Sequence, residues 1–189
     1  MLKTLYKFDF RRGYIIYPTL VVVVGVFDEK HRANFMACVW NTALSFEPPL
    51  YGVSISPKRA THDLILNKKA FSICFYPFEK SKDVEFFGTH SYRDTDKSRN
   101  VNLIKGSKLD VPIPLDAYAV LECSLFDYKT YGDHTLFVGE IVVIHYDENS
   151  IYNLFDMPIL DLNKKKPVLY LGNGVYITVD EKTILNLRK

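Results

Sequence analysis

Apolar runs separated by polar turns predict strands over most of the chain. The run "YPTLVVVVGVFD", which begins at Tyr17, is rich in valine and ends in the polar turn "DEKHRAN". A continuous apolar run bounded by a turn is typical of a strand that is buried on both faces. A second run with strand character, "LYGVSIS", follows the stop "FEPP".

Two short helices are predicted between the strands. Thr61 is a good helix N-cap, Asp63 lies in the first turn, and "LILN" continues this helix before the predicted strand "AFSICFYP". The segment "FEKSKDVEFFGTHSYRDTDKSRN" predicts a second helix followed by a polar loop, with Gly88 near the break.

The strongest strand signal is a long hairpin. The runs "YAVLECSLFDYKTY" and "HTLFVGEIVVIHYDE" are joined by Gly132 and Asp133, which favour a tight turn. A last strand, interrupted by Gly-Asn-Gly, is predicted in "PVLYLGNGVYITV". Because long crossover helices are scarce, the pattern favours a mainly antiparallel, mainly β barrel with a few short helices over a doubly wound sheet.

Length and composition narrow the classes of protein. A chain of 189 residues suits one domain, residues 1–189. The formal net charge of +2 lacks the one-signed field of a nucleic-acid-binding protein. The longest apolar run, residues 20–27, is far too short to cross a bilayer, and the amino terminus lacks the apolar core of a signal peptide. We therefore expect a cytoplasmic protein with neither a membrane nor a nucleic acid as partner.

The cysteines and histidines give no sign of a metal site. Three cysteines at wide spacing form neither a disulfide framework nor a zinc motif, and buried thiols are the expected alternative. The five histidines show no ligand spacing such as HExxH. We predict no metal ion.

The segment "SISPKRATHDLI" contains the first candidate binding residues. Ser56, Arg59 and Thr61 form S-x-x-R-x-T where a predicted strand ends and a helix begins. A guanidinium, two hydroxyls and the free N–H groups of a helix N-terminus would together suit a phosphate monoester. The same residues would also make an ordinary turn, with Thr61 as a cap and Arg59 in solvent, and the spacing alone does not decide.

The stretch "ANFMACVWNTALSFEPP" before this turn also has two interpretations. Most such apolar, aromatic stretches belong to the core. If its backbone stays partly unpaired, its N–H and C=O groups would instead be free to bind the polar edge of a flat heterocycle whose phosphate reaches Arg59.

Two stretches together resemble a known family. "ANFMACVWNTALSFEPPLYGVSISPKRATHDLI" and "GDHTLFVGEIVVI" are similar to the flavin reductase-like family of FMN-binding split β-barrels, of the Greek-key type, which includes flavoredoxin and the reductase partners of two-component flavin monooxygenases. The resemblance covers residues 17–148.

The resemblance implies a homodimer that binds FMN. Ser56, Arg59 and Thr61 would lie at the phosphate, and the ring would lie beside residues 34–41, contacted chiefly through the backbone. The ring residues so implied are Asn34, Ala37, Cys38, Val39, Trp40 and Asn41.

The family's loop S-G-R-D-x-D-K-F corresponds to "SYRDTDKSRN" here, with Tyr92 at the glycine and Ser98 at the phenylalanine. Lys97 would then approach the flavin, and the alternative is a solvated loop lysine. Tyr92 conflicts with the family's loop if that glycine needs a positive φ.

Three side chains keep two interpretations each. His134, in "GDHTLFVG", matches the family's G-D-H pattern near the nicotinamide, and the alternative is an ordinary histidine of a hairpin turn. Cys38 has no resolving cysteine nearby, so it is expected to pack as a small apolar residue rather than act in redox chemistry. Trp40 would stack on a ring or fill the core, and the core is the expectation.

The resemblance implies two alternative functions. In the first, the protein is an NAD(P)H-dependent flavin reductase that uses NADH or NADPH to deliver hydride to FMN N5. In the second, it is an FMN electron carrier like flavoredoxin that exchanges electrons with a redox partner protein. One fold serves several chemistries, so the resemblance does not separate them.

Overall fold

Antiparallel strands dominate the computed structural model, which describes residues 15–154 and 157–185. The strands are β1 (Thr19–Leu20), β2 (Val22–Phe27), β3 (Ala33–Cys38), β4 (Asn41–Ser45), β5 (Leu50–Ile55), β6 (Ala70–Phe75), β7 (Leu103–Lys105), β8 (Pro112–Pro114), β9 (Ala119–Tyr131), β10 (His134–Tyr146), β11 (Ile151–Leu154), β12 (Met157–Leu160), β13 (Leu169–Gly172) and β14 (Val175–Ile177). The helices are α1 (Ala60–Lys68) and α2 (Ser81–Thr89), with 3-10 turns at Phe78–Lys80, Glu148–Ser150 and Glu181–Thr183. The prediction of a mainly β protein with a few short helices is confirmed.

The central sheet is a curled half-barrel. It has seven strands in the order β3-β2-β6-β9-β10-β5-β4, and every neighbouring pair is antiparallel. Its two edge strands, β3 and β4, are consecutive in the chain and are joined only by residues 39–40. The sheet therefore curls until its edges approach each other, and β3 keeps one edge without a partner strand in the described part of the chain.

The valine-rich strand β2 is buried on both faces, as predicted. Val22, Val24 and Val26 pack inside the curled sheet, against residues that include Ile65 of α1. Val21 and Val23 pack on the outer face, in a cluster with Val84 and Phe87 of α2. The two helices thus cover the sheet from opposite sides.

The predicted long hairpin is confirmed as β9 and β10. His134 pairs with Tyr131 across the turn, and Gly132 has φ +62, a left-handed conformation that favours glycine. Two other details were wrong. The single carboxyl-terminal strand is the hairpin of β13 and β14, and Arg59 rather than Thr61 is the N-cap of α1.

The cysteines behave as expected, because all three are buried free thiols. None of the helices among the described residues is long and apolar enough to cross a membrane. The described residues also contain no cluster of His, Cys, Asp and Glu side chains that could hold a metal ion.

Candidate functional site

A small cavity of about 50 Å³ lies where β3, the start of α1 and the chain after α2 meet. Its lining is rich in basic and hydroxyl side chains. The residues are Asn34, Met36, Lys58, Arg59, Ala60, Thr61, Phe87, His90, Ser91, Tyr92, Arg93 and Lys97. Four predicted site residues, namely Asn34, Arg59, Thr61 and Lys97, are therefore brought together from three separate segments.

The turn before α1 contributes Lys58 and Arg59 to the lining of this cavity, whereas the predicted site residue Ser56 is not part of that lining. The backbone N–H of Arg59 donates to the carbonyl of Ser56 at 2.9 Å, and the Lys58 N–H lies 3.4 Å from the Ser56 hydroxyl. This tight turn places Arg59 at the N-cap of α1 in an extended conformation, with no side-chain cap for the helix. The first N–H groups of α1 therefore point into the region of the cavity, where they favour an anion.

Asn34 has a buried polar atom without a partner. The side chain is 1% exposed, and its Nδ2 donates to Thr61 Oγ1 at 2.8 Å. Among the described residues, its Oδ1 has no hydrogen-bond partner. Because a buried acceptor without a donor is costly, Asn34 has the chemistry to accept a hydrogen bond from a ligand in this cavity.

Lys97 is buried, with 5% exposure, so the solvated-loop interpretation was wrong. Its Nζ donates to the carbonyls of Phe35 at 3.0 Å and Phe87 at 2.8 Å. Burial and the nearby charge of Arg59 lower the pKa of Lys97 to about 8. Within residues 15–154 and 157–185, neither Arg59 nor Lys97 forms an ion pair, so the two cations form a site with an uncompensated positive charge.

The loop after α2 contributes Ser91, Tyr92 and Arg93 to the lining of the cavity. Tyr92 donates its hydroxyl to Asp28 Oδ2, and Arg93 Nη1 donates to the Lys58 carbonyl at 3.0 Å. Tyr92 has no positive φ, so the replacement of glycine requires no strained backbone here. Arg93 and His90 also line the cavity, although neither was predicted as a site residue from the sequence. Arg93 belongs to the quoted loop pattern, whereas no local signal marks His90.

The side chains of residues 37–41 point in different directions. Cys38 is buried in the inner core, where burial raises the pKa of its thiol to about 12, which confirms its packing role. Asn41 Nδ2 donates to the carbonyls of Leu20 and Cys38, and its Oδ1 accepts from Tyr51 at 2.6 Å. Cys38 and Asn41 thus serve the fold with their side chains, and because the carbonyls of Cys38 and Trp40 already accept hydrogen bonds, only the other backbone groups are left to contact a ligand.

Trp40 lies at the surface, so the expectation that it fills the core was wrong. It is 37% exposed, and its ring centroid lies 4.6 Å from that of His134. The His134 Nδ1 lies 2.8 Å from Asp133 Oδ1 in the hairpin turn. Two residues that are far apart in the chain, one predicted for the flavin ring and one for the nicotinamide, are therefore in contact.

The remaining ring candidates lie between these two clusters. Ala37 and Val39 are half-buried and pack against the outer core. From Asn34 to Trp40 the chain runs through β3, about 20 Å when extended, so the unpaired edge is long enough for a ring system and a phosphorylated side chain placed end to end.

A larger cavity adjoins the first one at Lys97. Its volume is about 590 Å³, and its lining combines Phe86, Phe87 and Val101 with several aspartates. The Tyr76 hydroxyl at this cavity is buried and has no hydrogen-bond partner in the part of the chain that the structure describes. Lys97 therefore lies between two cavities of different character.

Comparison with known proteins decides the family. The model of the flavin reductase like domain matches residues 12–176. The chain belongs to the flavin reductase-like family. It resembles an FMN-binding protein of Thermus thermophilus, with 40% identity, a TM-score of 0.84, and coverage of 98% of this chain and 100% of that chain. These matches confirm the predicted family and the split-barrel fold.

Two other relatives of this flavin reductase-like chain represent the two alternative functions. The flavoredoxin of Methanosarcina acetivorans is 26% identical, with a TM-score of 0.82 and coverage of 97% of each chain. An NADH-dependent FAD reductase of Streptomyces globisporus is 27% identical over 137 residues, which are 72% of this chain and 74% of that protein. The family members thus support flavin binding and are consistent with reductase activity.

Proposed function

We propose that the protein binds FMN and works as an NAD(P)H-dependent flavin reductase. One observation carries the proposal: Arg59 and Lys97 are two neighbouring cations without a carboxylate partner in the described chain, beside the N-terminus of α1. This arrangement favours a phosphate dianion, and the likeness to an FMN-binding protein supports FMN as its source.

The proposed phosphate ligands are the hydroxyls of Ser56 and Thr61, the guanidinium of Arg59 and the N–H groups of α1. Asn34 fits the sugar chain, because its unpaired Oδ1 would accept from a hydroxyl group. Thr61 is already bound to Asn34 Nδ2, so the two side chains are held in place before any ligand arrives. The residues present therefore fit the phosphorylated end of the cofactor.

The flavin ring is proposed to lie along the unpaired edge of β3 and the following residues 39–41. The backbone from Ala37 to Asn41 would supply donors and acceptors, since Cys38 and Asn41 direct their side chains inward. Lys97 would place a positive charge near the ring, where it would stabilise negative charge.

FMN, when bound, would supply the acceptor for hydride from NADH or NADPH. The protein would orient the nicotinamide through His134, which the Trp40 ring and Asp133 hold in position. No nucleophile or acid–base pair is required of the chain for such a transfer, so the site needs only binding groups and donors.

An electron carrier is the second candidate function, and the likeness to flavoredoxin favours it. A carrier would bind FMN through the same residues but would exchange electrons with a partner protein rather than with nicotinamides.

Anaerobic stopped-flow spectroscopy separates the two functions. Mixing FMN-loaded protein with NADH or NADPH should bleach the flavin absorption band, with a rate that saturates as the nicotinamide concentration increases. A flavin that neither nicotinamide reduces, but that a reduced partner protein bleaches readily, would reject the reductase in favour of the carrier.

We also propose that the chain is a single domain and forms a homodimer. Exposed apolar side chains follow the β9–β10 hairpin and would supply contact area between subunits. They are Phe126, Tyr128, Tyr131, Val142, Ile144 and Tyr146. The cytoplasmic location stays a prediction, and NADH and NADPH stay alternatives as the electron donor.

A further inference from the structure

Tyr92 lines the small cavity together with Arg59 and Thr61. Its hydroxyl donates to Asp28 Oδ2, and the Arg32 guanidinium lies 5.3 Å from its ring centroid. Asp28 is itself fixed, because it also accepts from the backbone N–H groups of Lys30 and Arg32, each at 2.8 Å, and from Arg32 Nε at 2.9 Å. This first bridge therefore ties the loop after α2 to a rigid turn between β2 and β3.

The protonation states keep the first bridge intact near neutral pH. Burial and the hydrogen bond to Asp28 raise the pKa of Tyr92 to about 12, so the phenol remains a donor. Burial alone would raise the pKa of Asp28, but the hydrogen bonds from Tyr92 and Arg32 hold it well below its usual range, so the carboxylate remains an acceptor. Such a charge-assisted hydrogen bond is stronger than one between neutral groups.

Arg93 also lines the cavity and makes a second bridge. Its Nη1 donates to the Lys58 carbonyl at 3.0 Å, and its Nη2 lies 3.9 Å from Asp63 Oδ2. This second bridge joins the same loop to the turn before α1. Both bridging residues line the cavity of about 50 Å³.

We propose that the bridges made by Tyr92 and Arg93 make this site select a terminal phosphate monoester, FMN, and reject the dinucleotide FAD. The inference rests on the proposed flavin-binding function and adds to it the residues that determine which flavin is bound. In FAD the same phosphate continues through a second phosphate to adenosine, and that extension needs a path out of the cavity. Tyr92 and Arg93 line this cavity while they hold the loop to the turns at Asp28 and Lys58, so the second phosphate and the adenosine of FAD would displace at least one of these bridges.

Tyr92 is the residue to change, because it stands where the resembling loop pattern has glycine. Glycine would remove both the ring and the hydroxyl at the first bridge, whereas Tyr92→Phe removes only the hydroxyl. Tyr152→Phe, on the exposed strand β11, is the matched control for the loss of one tyrosine hydroxyl.

The experiment is a fluorescence titration of the flavin-free protein with FMN, FAD and riboflavin. The wild type should bind FMN more tightly than FAD by about tenfold or more, the equivalent of opening one charge-assisted bridge. Tyr92→Gly should bring the two affinities to within about threefold, chiefly by improving FAD binding, and Tyr92→Phe should give an intermediate ratio. Tyr152→Phe should keep the wild-type ratio, and circular dichroism should confirm that each variant is folded.

The possible outcomes separate a failure of the proposed selectivity from a failure of the proposed flavin-binding function. A wild type that binds FMN and FAD equally would overturn the selectivity and leave flavin binding standing. A folded Tyr92→Gly variant that keeps the wild-type ratio would show that Tyr92 does not cause the selectivity. A wild type that binds none of the three flavins would overturn the proposed function as well. If Tyr92→Gly does not fold, the ratio of FMN to FAD affinity in the wild type and in Tyr92→Phe still decides whether Tyr92 makes the site selective.

Discussion

Replacing Arg59 by alanine removes the cation at the N-cap of α1 with little expected damage to the fold. The Arg59 side chain is exposed, and in the described residues its guanidinium has no hydrogen-bond or ion-pair partner. Its backbone, which makes the turn with Ser56, is unaffected by the side-chain change. The variant should therefore unfold close to the wild-type temperature and report chiefly on ligand binding.

The expected loss follows from the type of contact that is removed. A hydrogen bond to a charged group contributes about 1.5 to 3 kcal/mol, which corresponds to roughly a tenfold to 150-fold weaker affinity. FMN carries the phosphate and should suffer this loss in full. Riboflavin lacks the phosphate, so its affinity should change by less than about twofold. Lys97 also remains in the cavity, so FMN binding should be weakened rather than abolished.

Titrations with FMN and riboflavin at low salt, followed by flavin fluorescence, measure both losses on the same preparation. Lys108→Ala is the matched control, because it removes one positive charge from an exposed loop residue that does not line the cavity. The control should leave both affinities unchanged. Equal losses for FMN and riboflavin in Arg59→Ala would refute the assignment of Arg59 to the phosphate.

Three further predictions follow from the same site. His134→Ala should raise the KM for NADH or NADPH, or slow flavin reduction in anaerobic stopped flow. The FMN affinity should stay nearly unchanged, because the contacts of His134 are with Trp40 and Asp133. Identical rates of flavin reduction in the wild type and the variant would show that His134 has no role in the reaction. Because the pKa of Lys97 is lowered to about 8, its charge is lost as the pH rises through that value, and FMN affinity measured by titration should fall above it. Lys97→Arg should flatten this pH dependence. A wild-type affinity that stays constant above pH 8 would contradict the role of Lys97. Light scattering of FMN-loaded protein at micromolar concentration should give a dimer, and a mass near 21.9 kDa would reject it.

Local sequence signals predicted the elements well. The valine-rich strand β2 and the β9–β10 hairpin follow directly from apolar runs and from the Gly132 turn, because these signals act between near neighbours. The turn from Ser56 to Thr61 was also correctly placed at the start of α1, and its role as a phosphate site stays a prediction. The N-cap was misplaced because the turn hydrogen bond between Ser56 and Arg59, which local propensity does not reveal, sets the start of the helix.

Contacts between segments that are distant in the chain could not be predicted from the sequence. Lys97 is charged and lies in a polar loop, so its burial became visible only when that loop packed on Phe35 and Phe87. The bridge from Tyr92 to Asp28 spans 64 residues, and no local pattern indicates it. Trp40 is exposed because β3 and β4 are the two edges of the sheet, which is a property of the strand order rather than of its own neighbours.

The flavin content of the purified protein tests the central claim most directly. The absorption spectrum of the protein should be recorded, and the ligand should be released by denaturation and identified by its mass. If the protein is isolated without ligand, FMN should be added and the titration followed by fluorescence. A yellow protein that releases FMN, or a colourless one that binds added FMN and binds it roughly tenfold to 150-fold more weakly in Arg59→Ala, is the predicted result. A colourless protein that fails to bind added FMN would contradict the account.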